Sequence, residues 1–174
     1  RTLQVLKFSD IEKEFSSSDI EFCIAVGEPA IRKILYDRLV TCGLELTTLI
    51  HPDVVIPNST TIGKGTIICK FLSITCDIVI GENVYIHPNV CIGHDSIIGC
   101  HTVVSSYVDV AGDCNIGSST FLAINVCMIQ GISIGNDTIV GMASVVHRDI
   151  PDNVIALGNP ARPMKNNDDH RVFR

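Results

Sequence analysis

The chain has 174 residues, 46% of them hydrophobic and only 18% charged, with a net charge of −6 at neutral pH. This acidity argues against a nucleic-acid binder, which needs a basic stripe to neutralise phosphates. The apolar runs are broken by Asp, Asn, Gly or His before the ~18 residues a membrane span needs, and the length suits one repetitive domain with a small appendage.

Residues 1–49 stand outside the repeat that follows. Asp19 to Val26 (DIEFCIAV) reads as a buried strand. Gly27-Glu28-Pro29 then opens a helix with Pro29 near its first position and Ile31, Ile34, Leu35 and Leu39 on one apolar face, and Gly43 ends it. Leu44 to Leu49 reads as a second strand, so residues 1–49 predict a partial α/β domain. No signal-peptide pattern opens the sequence, and a first strand with a glycine-rich turn is not in it.

From Ile50 to Val146 every sixth residue is apolar, as in Ile80, Ile86, Ile92, Ile98, Val104 and Val110. The residue after it is usually small (Gly63, Gly81, Gly93, Gly117), and the fifth of each hexad is usually small or β-branched (Val84, Val90, Thr102, Thr120). Neither a helix nor a flat strand has this period. Residues 50–151 therefore predict an all-β solenoid in which three hexads make one coil, residues a full coil apart stack, and both ends need covers. Residues 152–174, with Pro160 and Pro163, leave the register and read as a C-terminal cap that folds back along a face or over the end.

The eight cysteines include no Cys-x-x-Cys pair and occupy different hexad positions. They read as small buried or half-buried thiols in a reducing cytoplasm, not as disulfides or metal ligands.

The hexad Ile92-Gly93-His94-Asp95-Ser96-Ile97 sets His and Asp side by side. A histidine can take a proton from an attacking amine or hydroxyl, and a carboxylate can hold the ring. Neighbouring residues on a strand point to opposite faces, so contact between His94 and Asp95 requires a bend at a coil corner. Otherwise Asp95 acts on a different subunit or not at all, and the plainer alternative makes His94 a solvated turn residue.

Periodicity leaves the hand of the coil open. The hexads resemble those of the left-handed parallel β-helix of hexapeptide-repeat acyltransferases over residues 50–165. CIGHDSIIG, AINVCMIQGISIGNDTIVGMASVVHRDIPDNVIALGNPAR and the upstream IAVGEPAIRKILYDRL look like the sugar acetyltransferases that include sialic-acid O-acetyltransferases and UDP-4-amino-sugar N-acetyltransferases. The resemblance implies acetyl-CoA as acyl donor, no metal, and a sugar or nucleotide-sugar acceptor. It further implies a homotrimer with the cofactor between neighbouring helices. By the same resemblance His94 is the general base and Asp95 its orienting acid, Gly112, Ile124, Gly141, Met142 and Arg162 lie along the cofactor, and His87 contacts the substrate.

Two positions depart from that family's pattern. Val103 stands where members often carry a second histidine, with His101 two residues earlier, and His87 replaces a typical Asn. Between Lys70 and Arg148 there is no Lys or Arg, whereas Arg148, Arg162, Lys165, Arg171 and Arg174 cluster towards the C-terminus. This suits a cofactor whose neutral arm crosses the coils while its phosphates meet the tail. Two other readings share the coil: a zinc protein like the γ-class carbonic anhydrases, with His87, His94 and His101 as ligands, and a non-catalytic scaffold.

Overall fold

The computed structural model describes residues 6–8, 10–11 and 20–173, so Asp19 and Arg174 lie outside the described residues. The repeat becomes a parallel β-solenoid whose two-residue strands stack into three faces. The first face holds Leu49–Ile50, Ile67–Ile68, Tyr85–Ile86, Val103–Val104, Phe121–Leu122 and Ile139–Val140. The second holds Ser73–Ile74, Cys91–Ile92, Asp109–Val110, Cys127–Met128 and Val145–Val146. Thr61–Ile62, Val79–Ile80, Ile97–Ile98, Asn115–Ile116 and Ser133–Ile134 make the third. Partners such as Tyr85↔Val103 and Val103↔Phe121 are eighteen residues apart, one full coil. The hexad that begins at Ile56 forms no strand, although Ile56 packs against the core.

Two residues of each hexad point inward. The first (Ile86, Ile92, Ile98) is fully buried, and so are fifth-position residues such as Val84, Thr102 and Thr120. Burying each aliphatic contributes roughly 1.5–3 kcal/mol. Most of these hydroxyls are paired with the next corner, as where Thr120 Oγ1 donates to Gly135 O at 2.8 Å and accepts from Thr138 N–H at 3.3 Å, whereas Thr60 Oγ1 is buried without a partner. Between the two inward residues the chain must turn, and the fourth residue of most hexads takes a positive φ, including Asn83 (54°), Asp95 (59°), His101 (63°) and Asn125 (65°). Asn and Asp tolerate this conformation better than most side chains. The small second residue has a steric cause: a Cβ on Gly81 would lie 2.8 Å from Cys100 N on the next coil.

At the C-terminal end the stacking distance shortens, since Ile134 pairs with Ile150 and Val140 with Ala156, sixteen residues on. The expected boundary at residue 151 falls inside this change. Val154–Gly158 continues the first face in parallel, and Ala161–Asn166 then returns antiparallel. The segment after 151 thus adds strands to the sheet as well as folding back.

The N-terminal fragment differs from its expected strands. Phe22 and Leu46 form a single parallel bridge, and among the described residues no longer ladder joins the two segments. The helix, α1 (Pro29–Thr41), begins and ends as its Pro29 and Gly43 dictate, with Gly43 at φ 68°. Of its expected apolar face, Leu39 is buried and Leu35 packs against the same small core, whereas Ile34 is exposed and Arg32 is completely buried. The Arg32 guanidinium donates to Asn83 O (3.1 and 2.9 Å), to Asn83 Oδ1 (2.8 Å), to Val26 O (3.0 Å) and to Ile24 O. Ile24, Leu39, Leu44 and Leu46 make a small second core beside it. Buried carbonyls without a donor would cost more than an apolar contact gives, and this selects Arg32 over Ile34 for the interface.

None of the eight cysteines forms a disulfide, but only Cys114, on the inner row, is buried, whereas Cys23, Cys42, Cys76 and Cys127 are exposed. No helix among the described residues is long and apolar enough to cross a membrane.

Candidate active site

His94 and Asp95 occupy a corner between the second and third faces. The left-handed φ of Asp95 turns the backbone so that neighbouring side chains meet, and His94 Nδ1 lies 2.8 Å from Asp95 Oδ2. A carboxylate only accepts, so Nδ1 carries the proton and Nε2 keeps its lone pair. Both side chains are about half exposed. The corner is held from both sides: Asp95 N–H donates to Cys76 O on one coil, and Asp113 N–H donates to His94 O on the other. The imidazole lies over Gly112, where a Cβ would come 2.5 Å from Nε2. Gly112 thus lies at the His94 corner.

A groove of about 540 Å³ runs along a different edge, between the first and second faces. Ile124, Gly141 and Met142 line it together with His87. Ile124 and Met142 are large apolar side chains left exposed, which marks a surface made to be covered. His87 is half-buried, its ring 4.3 Å from that of Tyr85, and its buried Nε2 has no hydrogen-bond partner. Burial, and next the charge of Arg32, lower its proton affinity, so the ring is neutral at pH 7. Arg162 does not line the groove, although it pairs across the hairpin with Leu157, which does. It sits on the terminal hairpin, where Nη1 donates to Ala161 O at 3.0 Å.

The structure therefore divides the expected site residues into three places: His94, Asp95 and Gly112 at one corner, His87, Ile124, Gly141 and Met142 along another edge, and Arg162 on the hairpin. A spacing of seven advances one corner, so His87, His94 and His101 stand on three separate edges. His101 faces the N-terminal fragment, accepting from Asn83 Nδ2 at 3.0 Å and lying edge-on to Tyr36. Among the described residues no group of three His, Cys, Asp or Glu side chains could hold a metal ion. Reading the sequence missed Glu28 and Arg32, both charged and both buried. The one available signal was their place in a helix start otherwise rich in apolar residues.

No protein-family model matches the chain. UDP-N-acetylbacillosamine N-acetyltransferase of Bacillus subtilis (strain 168) is 44% identical over 50 residues, a match that spans 29% of this chain and 23% of that protein. PerB from Caulobacter crescentus, solved in complex with CoA and GDP-perosamine, is 32% identical over 83% of this chain and 70% of its own, with a TM-score of 0.81. The chain belongs to the hexapeptide-repeat sugar acetyltransferase family. The acetyltransferase domain of PglB from Neisseria gonorrhoeae FA1090 is a further relative by fold, with a TM-score of 0.86 and 25% identity over 90% of this chain and 77% of that one. A histidine-to-alanine variant of the Caulobacter GDP-perosamine N-acetyltransferase has also been solved with CoA and GDP-perosamine.

Proposed function

We propose that the protein transfers an acetyl group from acetyl-CoA to the amine of a nucleotide-linked amino sugar, with His94 as general base and Asp95 as the group that orients it. The observation that carries this reading is the Nδ1 to Oδ2 contact of 2.8 Å, which leaves Nε2 free to accept a proton. As the acceptor nitrogen attacks the thioester carbonyl, Nε2 takes its proton, the tetrahedral intermediate collapses and the CoA thiolate leaves. No cysteine need act as nucleophile. The named relatives are N-acetyltransferases, which favours nitrogen over oxygen as the acceptor atom.

The groove at Ile124, Gly141 and Met142 fits the uncharged arm of CoA, since its walls are apolar and the coils between Lys70 and Arg148 carry no cation. His94 stands on another edge, so one copy alone does not bring base and donor groove together. A homotrimer in which each edge bearing His94 meets a neighbour's groove supplies the missing half. The exposed Val79 and Ile97 beside that edge give the packing an apolar surface. The cysteines without disulfides fit work in the reducing cytoplasm.

The test is His94→Ala. Turnover falls on the order of 10²–10⁴-fold, while thermal stabilisation by acetyl-CoA persists. Wild-type turnover in the variant refutes the assignment. Mass spectrometry of the product against a panel that includes GDP-perosamine identifies the acceptor, and light scattering reads the oligomer.

A further inference from the structure

A carboxylate withdrawn from water needs hydrogen-bond donors. Glu28, only 8% exposed at the start of α1, finds them at the far end of the chain. Val172 N–H lies 3.0 Å from Oε1 and 3.1 Å from Oε2, and Phe173 N–H donates to Oε2 at 3.0 Å. Charge-assisted bonds of this kind are the stronger sort. A second tie fixes the segment just before: Asn167 Nδ2 donates to Asp137 O at 2.9 Å, and His170 pairs with the Asp137 carboxylate. The tail is therefore docked at two points that differ in chemistry.

Its end reaches the groove. Phe173 meets Phe121 edge to face, with centroids 5.7 Å apart at 83°, and both rings line the groove together with Val172 and Gly27. Phe173 keeps 60% of its surface exposed, so it forms a rim and not a core. Gly27 of the N-terminal fragment and His87 line the same groove as Ile124 and Met142, with His87 two coils before Ile124. His87 lines this groove, and its Nε2 is a buried polar atom without a hydrogen-bond partner. A sugar ring suits such a site, with a hydroxyl or amine on the imidazole and a C–H face on the aromatic rings.

We propose that Phe173, held by Glu28, is a specificity-determining wall at the acceptor end of the groove. This rests on the acetyltransferase reading, in which the groove serves donor and acceptor. The wall is assembled from both ends of the chain, so its position depends on the Glu28 carboxylate as much as on the ring itself.

The experiment combines steady-state kinetics with hydrogen exchange on the full chain. Phe173→Ala raises KM for a GDP-linked amino sugar about 10-fold relative to any change in KM for acetyl-CoA, as expected for a lost apolar contact. Phe173→Leu restores most of it. Glu28→Gln keeps the shape but weakens the hold, so it shifts acceptor KM in the same direction and speeds exchange of the Val172 and Phe173 amides. Equal KM shifts for both substrates in Phe173→Ala, or no shift, overturn the wall. Val172 and Phe173 amides that already exchange at unstructured rates in the unaltered chain overturn the docking. Absence of acetyl transfer by the unaltered chain, with those two amides protected, instead overturns the acetyltransferase reading and takes the wall with it.

Discussion

The imidazole of His94 rests on the backbone of Gly112, one coil further along the solenoid and eighteen residues on in sequence. Gly112→Ala puts a methyl 2.5 Å from Nε2, so the ring must swing away. Turnover is expected to fall at least 10-fold with the fold intact, because a base displaced by about 1 Å loses its approach to the reacting proton. Kinetics together with circular dichroism check this, and unchanged turnover would show that the ring does not act from this position.

Asp95→Asn keeps a residue at home at φ 59° but replaces the obligate acceptor beside Nδ1. The amide no longer fixes the tautomer or steadies an imidazolium. Turnover is expected to drop on the order of 10-fold, less than on removing the base itself. The dependence of kcat on pH should change shape as well. A pH profile identical to wild type would assign Asp95 to the turn alone.

Arg32→Met removes five donor contacts and leaves the carbonyls of Ile24, Val26 and Asn83 short of partners. Burial already draws the Arg32 guanidinium down to about 10, a measure of how far water is excluded. The expected loss is about 2–5 kcal/mol, concentrated at the junction between the N-terminal fragment and the solenoid. Urea unfolding read alongside limited proteolysis after residue 20 would detect it. A stability equal to wild type contradicts the junction described here.

Acid should weaken that junction in a defined direction. Burial lowers the proton affinity of His101 below the usual 6.5; Lys33 and Arg32 push the same way, against Asp37 and Glu82. Its Nδ1 also accepts from Asn83, a bond that protonation breaks. The folded chain then resists the proton that the unfolded chain takes up near pH 6.5, so this contribution is whole above 6.5 and is lost as pH falls below it. His87 acts with the same sign. The urea midpoint should decline from pH 7 to pH 5, and His101→Asn, which suits the φ of 63°, should flatten the decline.

The solenoid was legible because its period is enforced at every coil by two inward residues and a crowded corner. Each hexad repeats the constraint. Even the bend that lets His94 meet Asp95 could be named beforehand as a requirement, although the positive φ that meets it could not. The rest depended on contacts without a local signature. Nothing near Arg32 announces the carbonyls of Ile24 and Asn83, and nothing near Glu28 announces amides at Val172 and Phe173. The helix face was only partly read for that reason: apolar spacing placed Leu35 and Leu39 but also the exposed Ile34, while unpaired carbonyls from two distant segments required a cation. The division of His94 and the Met142 groove between separate edges also follows from three-fold coiling and is invisible to motif matching.

The antiparallel return of Ala161–Asn166 closes the first face with a strand of opposite direction to the parallel strands beneath it. Another molecule's parallel coil arriving there would find no continuation of the ladder, and Pro163 offers it no amide. An architecture of identical stacked rungs is by nature a template for endless growth, and this folded-back ribbon acts as its terminator, keeping the particle finite at that tip.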